Sequence, residues 1–274
     1  MDKDKDLAVT RRLVQYLLEK GCIPGLSENV AVQAGLEMYA RKDEELHQYS
    51  DFLISLGGDG TLLGVGRRTA KYQTPILGIN LGNLGFLTAE ENGRAEYAID
   101  KVLRGDFKVE HRMMLEASVS AEPKRLEGVI ALNDICITRG FSSKILELNV
   151  FVNDDYVDTL RADGVIICTP TGSTAYNLSA GGPILKADAE IIAITPICPH
   201  TLSSRSIIVS AEDLVTVEVC TRADEDFMIS ADGQAAVVLK RKNVVQIKKS
   251  KYSTTIIKTN NLGFYDVLRQ KLAR

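Results

Sequence analysis

Near the start of the chain, apolar residues recur with a helical period. Over residues 7–20 they fall at Leu7, Ala8, Leu13, Val14, Leu17 and Leu18, and Gly21 follows as a stop signal. A second helical pattern covers about 28–40. Short apolar runs at 52–56 and 75–79 predict strands, each ending in a glycine-rich turn, while 62–71 and 94–104 predict helices. Helices alternating with short apolar strands predict a doubly wound, Rossmann-like α/β domain. Its sites are expected at the carboxyl ends of the strands.

After about residue 105 the period changes. Segments 112–120, 127–138, 146–152, 164–168, 190–194, 206–209, 213–220, 235–239 and 243–248 are short and rich in Val, Ile and Thr. Turn signals such as Asn153-Asp154-Asp155 and Asp232-Gly233 separate them. This pattern predicts a β-sandwich-like domain interrupted by one helical candidate over 173–178. The closing stretch 254–274 is amphipathic and basic. The expected organisation is a Rossmann-like domain over 1–104, to which 254–274 returns, and a β-rich domain over 105–253.

Composition narrows this only a little. A length of 274 residues suits two moderate domains. With 45% hydrophobic and 25% charged residues, wholesale disorder is excluded. A formal charge of −3 argues against a broad basic face for nucleic acid, although a small phosphate site needs no bulk charge. The apolar runs are strand-sized, so no membrane span is expected. Cys22, Cys136, Cys168, Cys198 and Cys220 include no Cys-x-x-Cys, which gives no zinc site and no disulfide framework. Scattered thiols and a charged start, MDKDKD, read as a cytoplasmic protein without a signal peptide.

Four stretches could carry chemistry. Gly57-Gly58-Asp59-Gly60-Thr61 lies between a strand and a helix, where glycines allow a close backbone approach and the helix offers N–H groups to an anion. It lacks the Gly-Lys-Ser/Thr ending of a Walker A loop. Asp59 would repel a phosphate unless it binds a metal or takes a proton from an attacking hydroxyl; a tight turn with Asp59 capping the helix is the plain alternative. Asn80–Thr88 reads as a strand exit, with Phe86 able to lie against a ring. Asn133-Asp134 interrupts an apolar run, so it either holds a polar ligand such as a diol or marks a bulge or exposed edge. The strongest is Arg161-Ala162-Asp163-Gly164 followed, after a short strand, by fifteen residues rich in hydroxyls, amides and glycines. There Thr171, Ser173 and Thr174 offer donors and acceptors, and Tyr176 adds an aromatic face with a polar tip. His47, His111 and His200 show no ligand-like spacing, and the basic residues at 240–242 and 248–249 read as a solvated edge.

In this order the stretches resemble the NAD kinase family. The matching segments are GGDGT at 57–61, NLGNLGFLT at 80–88, Asn133-Asp134, ADG at 162–164, TPTGSTAYNLSAGGPI at 169–184, TPICPHTLSSRS at 195–206 and DGQ at 232–234. Diacylglycerol and sphingosine kinases carry a similar GGDGT loop, but the TPTGSTAY segment after an Asn-Asp pair separates this family from them. The resemblance implies phosphoryl transfer to the 2′-hydroxyl of the adenosine ribose of NAD. Asp59 would be the base, and Gly57, Gly58, Gly60 and Thr61 would form the phosphate-binding turn. Asn133 and Asp134 would hold the ribose and adenine side, Phe86, Thr174, Ala175, Tyr176 and Ser179 would line the dinucleotide pocket, and Asp163 would contact the second nucleoside. Thr171 and Gln234 belong to the implied binding set. Mg²⁺ or another divalent metal, ATP or polyphosphate as donor, and a homodimer or homotetramer are implied as well. A lipid kinase and a non-enzymatic dinucleotide sensor are the alternatives; the first would not need Asn133-Asp134, and the second would not need Asp59. Family members usually place an apolar strand and an Asn-Pro turn ahead of the segment that here opens the chain, so an open neighbouring sheet edge is expected.

Overall fold

The computed structural model describes residues 4–88, 90–120, 126–140, 144–220, 227–239 and 243–272. The chain divides into two compact units, Met1–His111 with Thr254–Arg274, and Arg112–Ser253. The basic cluster at 240–242 lies outside the described residues.

The first unit is built on parallel strands. Leu53–Gly57 pairs in register with Ile76–Asn80, and Ile76 and Leu77 pair on their other side with Ile256 and Ile257, at the end of strand Val244–Lys258. Glu90–Glu91 continues that side beside Ile79 and Asn80. Helices Ala8–Glu19 and Ala95–Leu103 cover one face through Leu13, Ala95, Ala98, Ile99 and Val102 against Leu77, Ile79 and Ile257. Helix Asp59–Thr69 covers the other, and its Leu62 sits so close to the sheet that a Cβ at Gly78 would meet Leu62 at 2.7 Å. The first helix starts where Asp4 accepts the N–H groups of Val9 (3.0 Å) and Thr10 (2.9 Å).

The helical pattern over 28–40 is shorter in the structure. Helix Glu28–Ala34 stops because Gly35 turns left-handed at φ +66, with Leu36 N–H returning to Ala31 O, a Schellman ending. Residues 37–41 then form one 3₁₀ turn and strand Ala40–Arg41, paired parallel with Leu26–Ser27. Helix Asp43–Tyr49, which the apolar pattern does not reveal, carries Asp43, Glu44 and Glu45 in its first turn, where the helix dipole favours them. Among the described residues Leu53–Gly57 is the outermost strand, and a cavity of 1390 Å³ lies along it, lined by Leu13, Val14, Leu17, Leu53 and Leu56.

The second unit is two layers of antiparallel sheet. One orders Asp155–Ala162, Leu146–Val152, Val215–Val219 and the first half of Val244–Lys258, with Lys108–Ser120 and Leu126–Ala131 beyond. The other orders Ile207–Ser210, Ile191–Ile197, Gly164–Cys168, Asp134–Thr138, Phe227–Ala231 and Gln234–Leu239. Their facing side chains form one core, including Leu148, Val150, Val217 and Val245 from the first sheet and Ile135, Ile137, Val165, Ile167 and Phe227 from the second. Cys136, Ile166 and Cys168 point to the opposite face and pack with Leu185. Burial on both faces explains why 164–168 is uninterruptedly apolar. Asn153-Asp154 (φ +49, +70) and Asp232-Gly233 (φ +52, +67) are left-handed two-residue hairpin turns.

Two sequence expectations change here. The run 127–138 is two strands, broken at Leu132 and Asn133, because those residues hydrogen-bond to side chains instead of to a ladder. The last strand extends to Lys258, and the chain then ends in helix Phe264–Leu272. On that strand Lys248 is exposed and Lys249 half-buried, just past Ile247, the last residue paired with Val215–Val219. Lys249 pairs there with Glu190 and Glu212.

Candidate active site

In the first unit, strand Leu53–Gly57 runs into Gly58, which begins helix Asp59–Thr69. A Cβ at Gly57 would meet Thr61 Oγ1 at 2.2 Å, so this turn closes only with glycine. Gly60 and Thr61 are exposed at the first turn of the helix; the Thr61 N–H donates to Gly58 O (3.0 Å), and the N–H groups ahead of it at the helix start suit an anion.

Asp59 does not cap its own helix. Its carboxylate instead reaches the loop after Ile76–Asn80: Oδ2 accepts the Phe86 N–H (2.7 Å), and Oδ1 accepts the N–H groups of Leu87 (3.1 Å) and Thr88 (2.9 Å). The Thr88 hydroxyl donates to Oδ1 as well (2.9 Å). Asn80 braces this loop, donating to Thr88 Oγ1 (2.9 Å) and Asn83 O (2.7 Å) and accepting from Gly82 N–H (2.7 Å). Gly85 passes so close that a Cβ would lie 1.9 Å from Asp59 Oδ1. Oδ1 thus accepts from three donors, whereas Oδ2 accepts from one and keeps a lone pair. Phe86 is half-buried, with Lys271 of the last helix 6.0 Å from its ring centroid. Sequence reading saw Lys271 only as part of a basic tail.

In the second unit, Leu132 and Asn133 form a braced turn. Thr169 N–H donates to Asn133 O (2.9 Å), and the Thr169 hydroxyl donates to Leu132 O (2.6 Å). Asp232 accepts the N–H groups of Leu132, Asn133 and Asp134. The Asn133 side-chain amide has no partner among the described residues, which leaves it for a ligand. Asp134 is 4% exposed in a central strand, so the edge alternative fails.

Burial, and to a lesser degree the negative Asp232, push the Asp134 carboxyl up to about 6, opposed by a Cys136 thiol donating at 3.3 Å. The folded-state pKa lies above the unfolded one, so the native state holds the extra proton. This carboxyl's contribution to stability is full below about pH 4, declines as the pH rises to about 6, and is lost above. The shift corresponds to roughly 2–3 kcal/mol. Asp134→Asn is therefore expected to melt higher than the unmodified protein at pH 8 without nucleotide, and nearly equally at pH 4. Equal melting temperatures at both pH values would contradict this. Burial also raises the Cys136 thiol far above its ordinary value and Cys168 to about 12.

The loop after Gly164–Cys168 is compact. Ser173 and Asn177 are fully buried and spent on it: the Ser173 hydroxyl donates to Pro170 O (2.6 Å) and accepts Leu185 N–H (3.0 Å), and Asn177 donates to Pro183 O (2.9 Å) and accepts from Thr195 (2.7 Å). The expected helix over 173–178 is a 3₁₀ turn, Gly172–Thr174, and one α turn, Tyr176–Ser179. Thr171 Oγ1 is buried with no partner among the described residues. Thr174 and Ala175 are half-buried, and Tyr176, Ser179 and Gln234 are exposed. Burial raises the Tyr176 phenol, and the neighbouring charges that add to this include Asp163 and Asp134. Asp163 is half-buried and pairs with Arg139 at 3.4 Å, a partner the sequence reading missed. His200 is exposed, and His111 meets Thr255 at 3.3 Å.

A fixed carboxylate beside an anion-suited helix start suits transfer of a phosphoryl group to an alcohol, the chemistry of a phosphotransferase. Residues 2–107 match the ATP-NAD kinase N-terminal domain, and residues 132–259 match the ATP-NAD kinase C-terminal domain. The chain is 49% identical over 272 residues to the NAD kinase of Thermoanaerobacter sp. (strain X514), covering 99% of this chain and 96% of that protein. It is 42% identical to the NAD kinase of Symbiobacterium thermophilum, covering 100% and 97%. The fold is similar to yeast NADH kinase complexed with NADH (TM-score 0.79, 28% identity, 86% and 69% of the two chains). It is also similar to an NAD kinase from Archaeoglobus fulgidus in complex with ATP (TM-score 0.73, 28% identity, 95% of each). This chain belongs to the NAD kinase family.

Proposed function

We propose that Asp59 is the base of the NAD kinase reaction in this chain, and that the Leu132–Asp134 turn holds the adenosine of NAD. The protein is a phosphotransferase with an alcohol acceptor: it converts NAD to NADP, with ATP as donor. The 2′-hydroxyl oxygen of the ribose bonds to the γ-phosphorus, the bond to the β-phosphate bridging oxygen breaks, and ADP leaves. The hydroxyl proton passes to Asp59 Oδ2. The observation that carries this reading is the one unfilled lone pair on a carboxylate that four donors otherwise fix.

Other roles follow the same reading. Gly57, Gly58, Gly60 and Thr61 form the turn that cradles the donor phosphate. Phe86, Thr171, Thr174, Ala175, Tyr176, Ser179 and Gln234 contact the dinucleotide, and Asp163 contacts its second nucleoside. The buried Thr171 hydroxyl, without a partner among the described residues, supports its place in this set. Among the described residues no group of three or more His, Cys, Asp or Glu side chains is arranged to hold a metal, so a resident metal site does not fit. Our reading is that a divalent ion enters bound to the donor's phosphates. No helix among the described residues is long and apolar enough to cross a membrane, and all five cysteines are free, which supports a cytoplasmic reading. Assembly into a homodimer or homotetramer is also proposed.

The direct test is formation of NADP from NAD, ATP and Mg²⁺ in a coupled assay, with polyphosphate and NADH in parallel arms. NADP should form and stop on adding EDTA. No product from folded, dinucleotide-binding protein would favour the sensor. Light scattering after size exclusion reads the assembly state.

A further inference from the structure

We infer that Asp232 is the positioning residue for the Leu132–Asp134 turn, setting the affinity for NAD without touching it. This rests on the reading of that turn as the adenosine holder.

One carboxylate gathers three consecutive amides. Oδ2 accepts Leu132 N–H at 3.0 Å, and Oδ1 accepts Asn133 N–H at 2.7 Å and Asp134 N–H at 3.2 Å. Asp232 N–H returns a bond to Asp134 O at 2.9 Å. On the opposite side Thr169 satisfies the carbonyls of Leu132 and Asn133. The backbone of the turn is therefore saturated by protein, which frees the side chains of Asn133 and Asp134 for a ligand. The turn also separates strand Leu126–Ala131, in one sheet, from strand Asp134–Thr138, in the other, which is why polar residues interrupt the apolar run at that point.

The identity of the residue follows from its own backbone. Asp232 sits at φ +52 in the two-residue turn that joins Phe227–Ala231 to Gln234–Leu239. Asp, Asn and Gly tolerate that conformation, but only a carboxylate accepts from three N–H groups without presenting a donor of its own. The charge-assisted bonds fix the turn more firmly than neutral ones would. Nothing in the sequence pattern joins residue 232 to residue 133; the antiparallel pairing of Ala231 with Ile135 brings them together.

Asp232→Asn is the clean test, because Asn keeps the left-handed turn and one acceptor while placing an amide group against an N–H. KM for NAD is expected to rise about tenfold, equivalent to a loss of about 1.4 kcal/mol, with kcat and KM for ATP within about twofold. Asp232→Ala, which keeps no acceptor, is expected to raise KM further; if it does not fold, Asp232→Asn alone decides. Asn133→Ala is run alongside. If Asn133→Ala raises KM for NAD and Asp232→Asn does not, the positioning role is overturned while the reading of the turn survives. If neither changes KM for NAD, that reading falls, and this inference with it. A fall in kcat equal to the change in kcat/KM, with KM constant, also overturns it.

Discussion

Asp59→Asn is expected to lower kcat for NADP formation by about 10²–10⁴-fold, the usual contribution of a positioned general base. KM for NAD should stay within about threefold, since the amide has nearly the shape of the carboxylate and the binding side chains are elsewhere. The variant has a second consequence that must be measured with the first. Asn retains one carbonyl oxygen, enough to accept from Leu87 and Thr88, but it sets an NH₂ against the Phe86 N–H that Oδ2 now accepts. A melting curve therefore accompanies the coupled assay. A large loss of turnover in protein that still melts near the unmodified temperature assigns the proton to Asp59. Turnover like that of the unmodified protein would sink the assignment.

Gly172→Ala is expected to be the most damaging small substitution in the β-rich unit. A Cβ there would stand 2.1 Å from Asn133 O, 2.5 Å from its carbonyl carbon and 2.8 Å from its Cα. These are backbone atoms already held by Thr169 and Asp232, so no flexible side-chain end can move aside. The cost is about 1–3 kcal/mol or more of stability. The shifted turn should also raise KM for NAD by about tenfold or more. Gly93→Ala is the control: it lies outside the site and nothing lies within 4 Å of its Cβ, so no steric cost arises. Thermal melts and KM measurements on both variants check the pair. Normal stability together with normal KM in Gly172→Ala would mean that the turn is not held as described.

Much of the architecture was legible because two periods are written into the chain. The 3.6-residue spacing of Leu13, Val14 and Leu17 marks a helix that does bury Leu13 and Val14. The uninterrupted Gly164–Cys168 run marks a strand buried on both faces. Less legible were elements whose partner, not their own composition, makes them. Val244–Lys258 continues as a strand through Lys249, Ser250, Lys251 and Ser253, a polar stretch with no apolar run to announce it. Asp155–Ala162 is equally polar and is held by its register against Leu146–Val152.

The candidate site divides the same way. Glycines, amides and hydroxyls crowded at strand ends were visible in sequence, and so was their likeness to one family. Which of them remain available to a ligand was not. In sequence Ser173 offered a donor and acceptor just as Thr171 did, yet Ser173 is spent on Pro170 and Leu185 while the Thr171 hydroxyl has no partner among the described residues. The GGDGT stretch alone left Asp59 open as a cap of its own helix, and the structure sends its carboxylate to residues 86–88.

By itself, then, the hydrophobic and polar pattern determined that an α/β segment precedes a β-rich one and where the polar turns fall, since both periods are local properties of the chain. Only the tertiary structure decided that Asp59 keeps one lone pair on Oδ2, that Asp134 is pushed up to about 6, and that Asp232 grips the turn at Asn133. Those outcomes depend on hydrogen bonds and burial between residues 27 to 100 positions apart, which no local period encodes.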